Sequence, residues 1–164
     1  MPTKQISVER FSVISQKPFS TIVGRLNAAL CHPPLPVFWK AVARTKSFPA
    51  LEKAIRKMLG PSGFMEFVRF DHDAILWRAY GDKTPRLTRL LIGNPLIMKQ
   101  MVEHVPDAGS YAPVTILIDE RPDGVHLSYD RMASFLAPYQ NQQALRVARD
   151  LDAKIEALLT AAAR

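Results

Sequence analysis

Asp71 and His72 stand side by side, and a carboxylate next to an imidazole is a common pair for moving protons. The carboxylate sets the imidazole tautomer and raises its basicity, which makes the pair the catalytic candidate. Neighbours along a strand point to opposite faces, so adjacency makes a dyad only if the strand ends at Asp71. The competing reading is structural: Asp71 or Asp73 caps a short helix carrying Ile75, Leu76 and Trp77.

Gly93-Asn94-Pro95 offers different chemistry. A helix N-terminus behind a glycine can hold an anion through its free N–H groups, and Arg86 and Arg89 lie just upstream. The stretch lacks the glycine-rich phosphate loop and its lysine. Plain capping by Asn94, with Pro95 in the first turn, is the alternative. Tyr129, flanked by Ser128 and His126, can hydrogen-bond a ligand at a pocket mouth or sit in the core with its hydroxyl at the edge. His126 is expected on a solvated face.

The chain has four histidines, His32, His72, His104 and His126, and none shows the spacing that puts two ligands on one helical face. No metal and no cofactor is expected. Cys31-His32 pairs a thiol with an imidazole, but two prolines follow and no third group orients them, so an inert thiol is expected. The single cysteine allows no internal disulfide and no multi-thiolate zinc site.

The elements that must position these residues are legible from periodicity. A strand is expected over Ile6–Ile14, with a parity change between Val8 and Phe11. Ser20 is expected to cap a helix striped by Ile22, Val23, Leu26, Ala29 and Leu30. Val37–Leu59 reads as two short helices split at Phe48-Pro49. The apolar face of the first comprises Val37, Phe38, Trp39 and Val42, and that of the second Leu51, Ile55, Met58 and Leu59. Strands follow at Phe64–Phe70 and Arg86–Ile92, the latter expected to be buried on both faces. Ile97, Met98, Met101, Val102 and Val105 stripe a helix after Asn94. Arg121-Pro122-Asp123-Gly124 turns a hairpin between Val114–Ile118 and Val125–Tyr129. A long terminal helix, Gln142–Ala163, carries Leu145, Ala148, Leu151, Ile155, Leu158 and Ala162, as core packing or as a dimer seam.

This order predicts an α+β fold: a curved, mostly antiparallel sheet of about five strands with helices on one face. At 164 residues, a single domain spanning 1–164 is expected. The net charge of +7 attracts acidic partners, but the basic residues are scattered without an aromatic–basic signature, so nucleic acid is not the expected partner. No apolar run approaches the roughly 20 residues of a membrane span. No membrane partner is expected, and Met1–Arg10 lacks a leader's apolar core. A cytoplasmic, bacterial-type protein is the expectation.

Several segments resemble the domain-of-unknown-function 302 family: Ser15-Gln16-Lys17-Pro18-Phe19, Asp71-His72, Leu91-Ile92-Gly93-Asn94-Pro95, Met101 through Pro106, the strand Val114–Ile118, and Ser128-Tyr129. The resemblance runs from about Val8 to Ala137. It implies a TATA-binding-protein-like topology and a homodimer, and it brings no catalytic residues with it. The sequence departs from the family pattern in a helical insert at 32–59 and in a terminal helix that runs past the family core.

Together these features predict a small-molecule-binding or protein-interaction module, dimeric, with a site lined by Phe67, Phe70, Trp77 and Tyr129 near His72 or Asn94, and with Arg89 at hand. The alternatives are a small enzyme using His72 and Asp71, or a basic adaptor using Lys46, Lys53, Arg56 and Lys57.

Overall fold

The computed structural model describes residues 3–164; Met1 and Pro2 of the expected leaderless stretch lie outside it. Five strands, β1 (Arg10–Ser15), β2 (Met65–Asp71), β3 (Leu87–Gly93), β4 (Val114–Arg121) and β5 (Gly124–Asp130), form one open sheet. The order is β1-β5-β4-β3-β2 and every neighbouring pair is antiparallel. The helices are α1 (Phe19–Ala29), α2 (Leu35–Arg44), α3 (Phe48–Arg56), α4 (Asp73–Tyr80), α5 (Pro95–Val102), α6 (Met132–Leu136) and α7 (Gln142–Ala163). This is the α+β architecture that the element order predicts.

Register fixes which residues face the helices. Leu90 opposes Ile116, which opposes Tyr129, which opposes Phe11. This row and its neighbours at two-residue spacing make the inner face of the sheet, buried under α1, α5 and α7. All six apolar positions of the α7 stripe are buried there, so that stripe is core and leaves no exposed seam. The last turn of α7 is held by side chains from elsewhere: Ser15 donates to the Ala163 carbonyl and Arg25 to that of Ala162.

Four local expectations change. In β3, Thr88, Leu90 and Ile92 are buried, but Arg89 is exposed and Leu91 only half-buried, because the main helix layer covers a single face. Strand β1 begins at Arg10, and Val8 lies ahead of it exposed, so the parity change falls at the strand's start. Helix α1 begins at Phe19 behind Pro18, which leaves Ser20 inside the first turn with no capping bond. His126 is buried against the hairpin turn, 2.8 Å from Asp123 Oδ1, rather than solvated. The hairpin otherwise forms as predicted, with Gly124 at φ 133°.

Helices α2 and α3 build a second, smaller core from Phe38, Ile55 and Met65. The chain between them breaks just before Phe48-Pro49, and the Ser47 hydroxyl caps α3 by accepting from the Ala50 N–H. On α2, Phe38 is buried while Val37 and Trp39 are exposed. Successive helical residues turn by about 100°, so residues 37 and 39 cannot both share the face of residue 38.

Candidate apolar binding site

Strand β2 contains a bulge between Glu66 and Val68. Regular alternation would put Glu66 and Arg69 on opposite faces; the extra residue puts them on the same one. Phe67, released from the ladder, stacks edge-on against Phe38 of α2 with ring centroids 5.6 Å apart. That contact closes one wall of a cavity of about 380 Å³. Leu35, Phe38 and Trp39 form the α2 wall, Val68 and Leu91 the sheet wall, and Ile97, Met98 and Met101 the α5 wall. Ala112, Pro113 and Leu151 complete it.

The lining is almost without polar groups. Asn94 is its one amide side chain, and both its polar atoms are hydrogen-bonded: Oδ1 accepts from the Leu96 N–H at 2.9 Å and Nδ2 donates to the Gly63 carbonyl at 3.0 Å. It caps α5 and ties that helix to the loop before β2. Trp39, at the exposed rim, adds an indole N–H. Such a cavity matches neutral apolar matter, because an ion or a strong acceptor would lose its hydration there without a partner.

The other residues singled out by the sequence are dispersed. Asp71 Oδ1 accepts from the Thr88 hydroxyl at 2.9 Å, while His72 stacks on Phe70 at 5.9 Å. No hydrogen bond joins Asp71 to His72, and neither side chain caps α4. Trp77 is half-exposed and donates to Asp82 Oδ1 at 3.3 Å. Arg89 is exposed, 3.2 Å from Thr115 Oγ1 and over the Phe70 ring. Tyr129 is buried at 1% exposure, with its hydroxyl in the core donating to Asp152 Oδ1 at 2.7 Å. Of the expected pocket residues, Phe67 and Asn94 line the cavity and Phe70, Trp77, Tyr129 and His72 do not.

Two charged features were not legible beforehand. Asp152 sits in the apolar stripe of α7 and accepts from the Met132 and Ala133 N–H groups as well as from Tyr129. Burial raises its pKa, and burial together with the adjacent carboxylate pushes the Tyr129 phenol far above its ordinary range, so Tyr129 stays the donor. The other is Glu66, 9% exposed, which accepts two bonds from Arg69 at 3.0 and 2.8 Å. His32 Nδ1 lies 3.4 Å from the same carboxylate, and Arg69 also reaches Asn27 Oδ1. The bond to Glu66 raises the Arg69 pKa. No cluster of metal-ligating side chains occurs among the described residues.

An open antiparallel sheet backed by helices, with an apolar cleft at one end, defines the class of protein. The model of the family "Domain of unknown function DUF302" matches residues 40–162, and the chain belongs to that family. The match begins inside α2 and runs through α7. The matched span includes nearly all of the terminal helix and residues 40–59 of the expected insert. Among solved structures the chain is similar to an uncharacterized conserved protein DUF302 from Bacillus stearothermophilus, with a TM-score of 0.66 and 12% identity. The similarity covers 94% of this chain and 98% of that one, and at this identity it shows the fold. No curated protein matches the chain.

Proposed function

We propose that the chain is a binding module for a neutral, apolar small molecule, with the α2–α3 pair as the cover of its site. The supporting observation is the cavity itself: about 380 Å³ behind α2, walled by aliphatic and aromatic side chains, with its one amide already engaged. Ligand sites are typically pre-formed, mostly apolar clefts of this size class. Binding of the neutral fluorescent probe phenylnaphthylamine tests the reading. Emission should rise on binding, and Met98→Trp, which fills the α5 wall, should weaken binding about tenfold or more. Equal binding by wild type and Met98→Trp would remove the cavity from the account.

A second reading, self-association, rests on α4. None of its residues is buried, and Ile75, Trp77 and Tyr80 are exposed beside Phe70. An eight-residue helix is marginal without tertiary support. Asp73 and Asp82 alternate with Arg78 and Arg86 around it, a mixed-sign patch that suits contact with its own copy about a two-fold axis. Sedimentation should show a dimer that Ile75→Glu with Tyr80→Glu converts to monomer; a wild-type monomer at high concentration rules this out.

A further inference from the structure

The cavity opens beside the most basic part of the chain. Residues 35–57 carry six cations, Lys40, Arg44, Lys46, Lys53, Arg56 and Lys57, against one acid, Glu52. All six are exposed, and among the described residues only Arg56 has a carboxylate partner, Glu52 at 2.6 Å. The other five have no carboxylate within ion-pair distance among the described residues, and a patch of this kind attracts an anionic surface.

Charge alone does not choose between a polyanion in solution and a lipid headgroup layer. The apolar side chains on the same helices do. Val37 is 55% exposed, Trp39 61% and Phe48 48%. On α2 the 100° step places Lys40 and Arg44 between Trp39 and Val37 on the arc opposite Phe38. Tryptophan and aliphatic side chains set among cations are the composition of a helix that lies in a bilayer interface, with the rings at headgroup depth and the cations on phosphates. Nucleic acid or an acidic protein needs the cations but not an exposed Val37 beside them. Trp39 is also the rim of the cavity, so the surface that meets lipid is the one through which an apolar molecule enters. Among the described residues no helix is long and apolar enough to cross a membrane, and a peripheral contact needs none.

We propose that the exposed side of the α2–α3 pair is a docking surface for an anionic lipid bilayer, from which the cavity behind α2 takes its apolar ligand. The ligand half of this proposal rests on the reading of the cavity given above; the docking half does not.

The test is vesicle co-sedimentation of the full chain, using phosphatidylcholine alone and phosphatidylcholine with about one third phosphatidylglycerol. Wild type should bind the anionic vesicles, release them as salt rises, and leave the neutral ones in solution. Each cation removed should weaken binding roughly fivefold, so Lys40→Gln, Arg44→Gln, Lys53→Gln and Lys57→Gln together should abolish it. In a Trp77→Phe protein Trp39 is the only tryptophan, and its emission should shift to the blue on anionic vesicles. Met98→Trp should still dock, and wild-type docking without probe binding, or with equal probe binding by Met98→Trp, would mark failure of the cavity reading alone. Docking is overturned if wild type ignores anionic vesicles at low salt, if the quadruple variant binds undiminished, or if the chain binds heparin but no vesicle.

Discussion

The Tyr129 hydroxyl donates to the Asp152 carboxylate at 2.7 Å and thereby joins the last strand of the sheet to the long helix that crosses it. The same carboxylate accepts the first two N–H groups of α6, so one side chain fixes three elements. Truncating either partner leaves buried polar groups unpaired. Tyr129→Phe should cost about 1–3 kcal/mol, and Asp152→Ala, which strands the Ala133 N–H and the Tyr129 hydroxyl proton and leaves the Met132 N–H only the Tyr129 oxygen, should cost more. Urea unfolding measures both; a smaller loss for Asp152→Ala than for Tyr129→Phe would contradict this account of the junction.

The raised Asp152 pKa has a sign. Burial, aided by Glu156, disfavours the charged form in the folded chain, whereas unfolded Asp152 titrates near its ordinary 3.8. Across the window above 3.8 the folded state holds the proton and the unfolded state has released it, so this contribution is greatest below 3.8 and declines as pH rises through the folded value. Measured against Asp152→Asn, the wild-type stability advantage should be larger at about pH 4 than at about pH 7. A difference that is flat, or larger at pH 7, contradicts it.

Phe38 anchors the small core with Ile55 and Met65, apart from the main core. Phe38→Ala should destabilise the α2–α3 pair by about 3–5 kcal/mol. Hydrogen exchange should then accelerate in α2 and α3 while β4 and β5 keep their protection. Uniform acceleration across the sheet would show that the two cores unfold as one.

Gly60 lies against the end of α1. A Cβ there would meet the Ala29 carbonyl oxygen at 2.5 Å and the Cys31 nitrogen at 2.6 Å, both main-chain atoms that cannot rotate away. The contact seats the loop that delivers β2, where Ser62 donates to Ala29 O and Gly60 to Phe64 O. Gly60→Ala should cost roughly 3 kcal/mol or more. Thermal unfolding measures this, with Gly24→Ala, inside α1 and with nothing within 4 Å of its Cβ, as the control expected to stabilise by about 0.5–1 kcal/mol.

The sheet and its helix layer were legible because alternation and helical stripes report burial directly: the hairpin, the Asn94 cap and the α7 stripe follow from residue types alone. The site was less so. The bulge at Phe67 has no glycine or proline to announce it, yet it aims Phe67 at α2 and brings Glu66 and Arg69 together. The α2 wall could not be assigned, because Val37, Phe38 and Trp39 are all apolar and only packing decides which one is buried. Asp152 shares the α7 stripe with Ala148 and Ile155, but nothing in the sequence announces the α6 N–H groups that pair with it. Residue type groups Tyr129, Trp77 and His72 with the site, but register turns Tyr129 into the core while Trp77 and His72 belong to α4 and its start, outside the cavity lining.

The most direct test of the central claim uses the methionine methyl groups. Met98 and Met101 line the cavity, whereas Met132, buried in the main core, does not. In a methyl NMR titration with phenylnaphthylamine, the Met98 and Met101 signals should shift in a saturable way while that of Met132 stays in place. Saturable binding that leaves Met98 and Met101 unmoved, or moves Met132 instead, would contradict the cavity behind α2 as the ligand site.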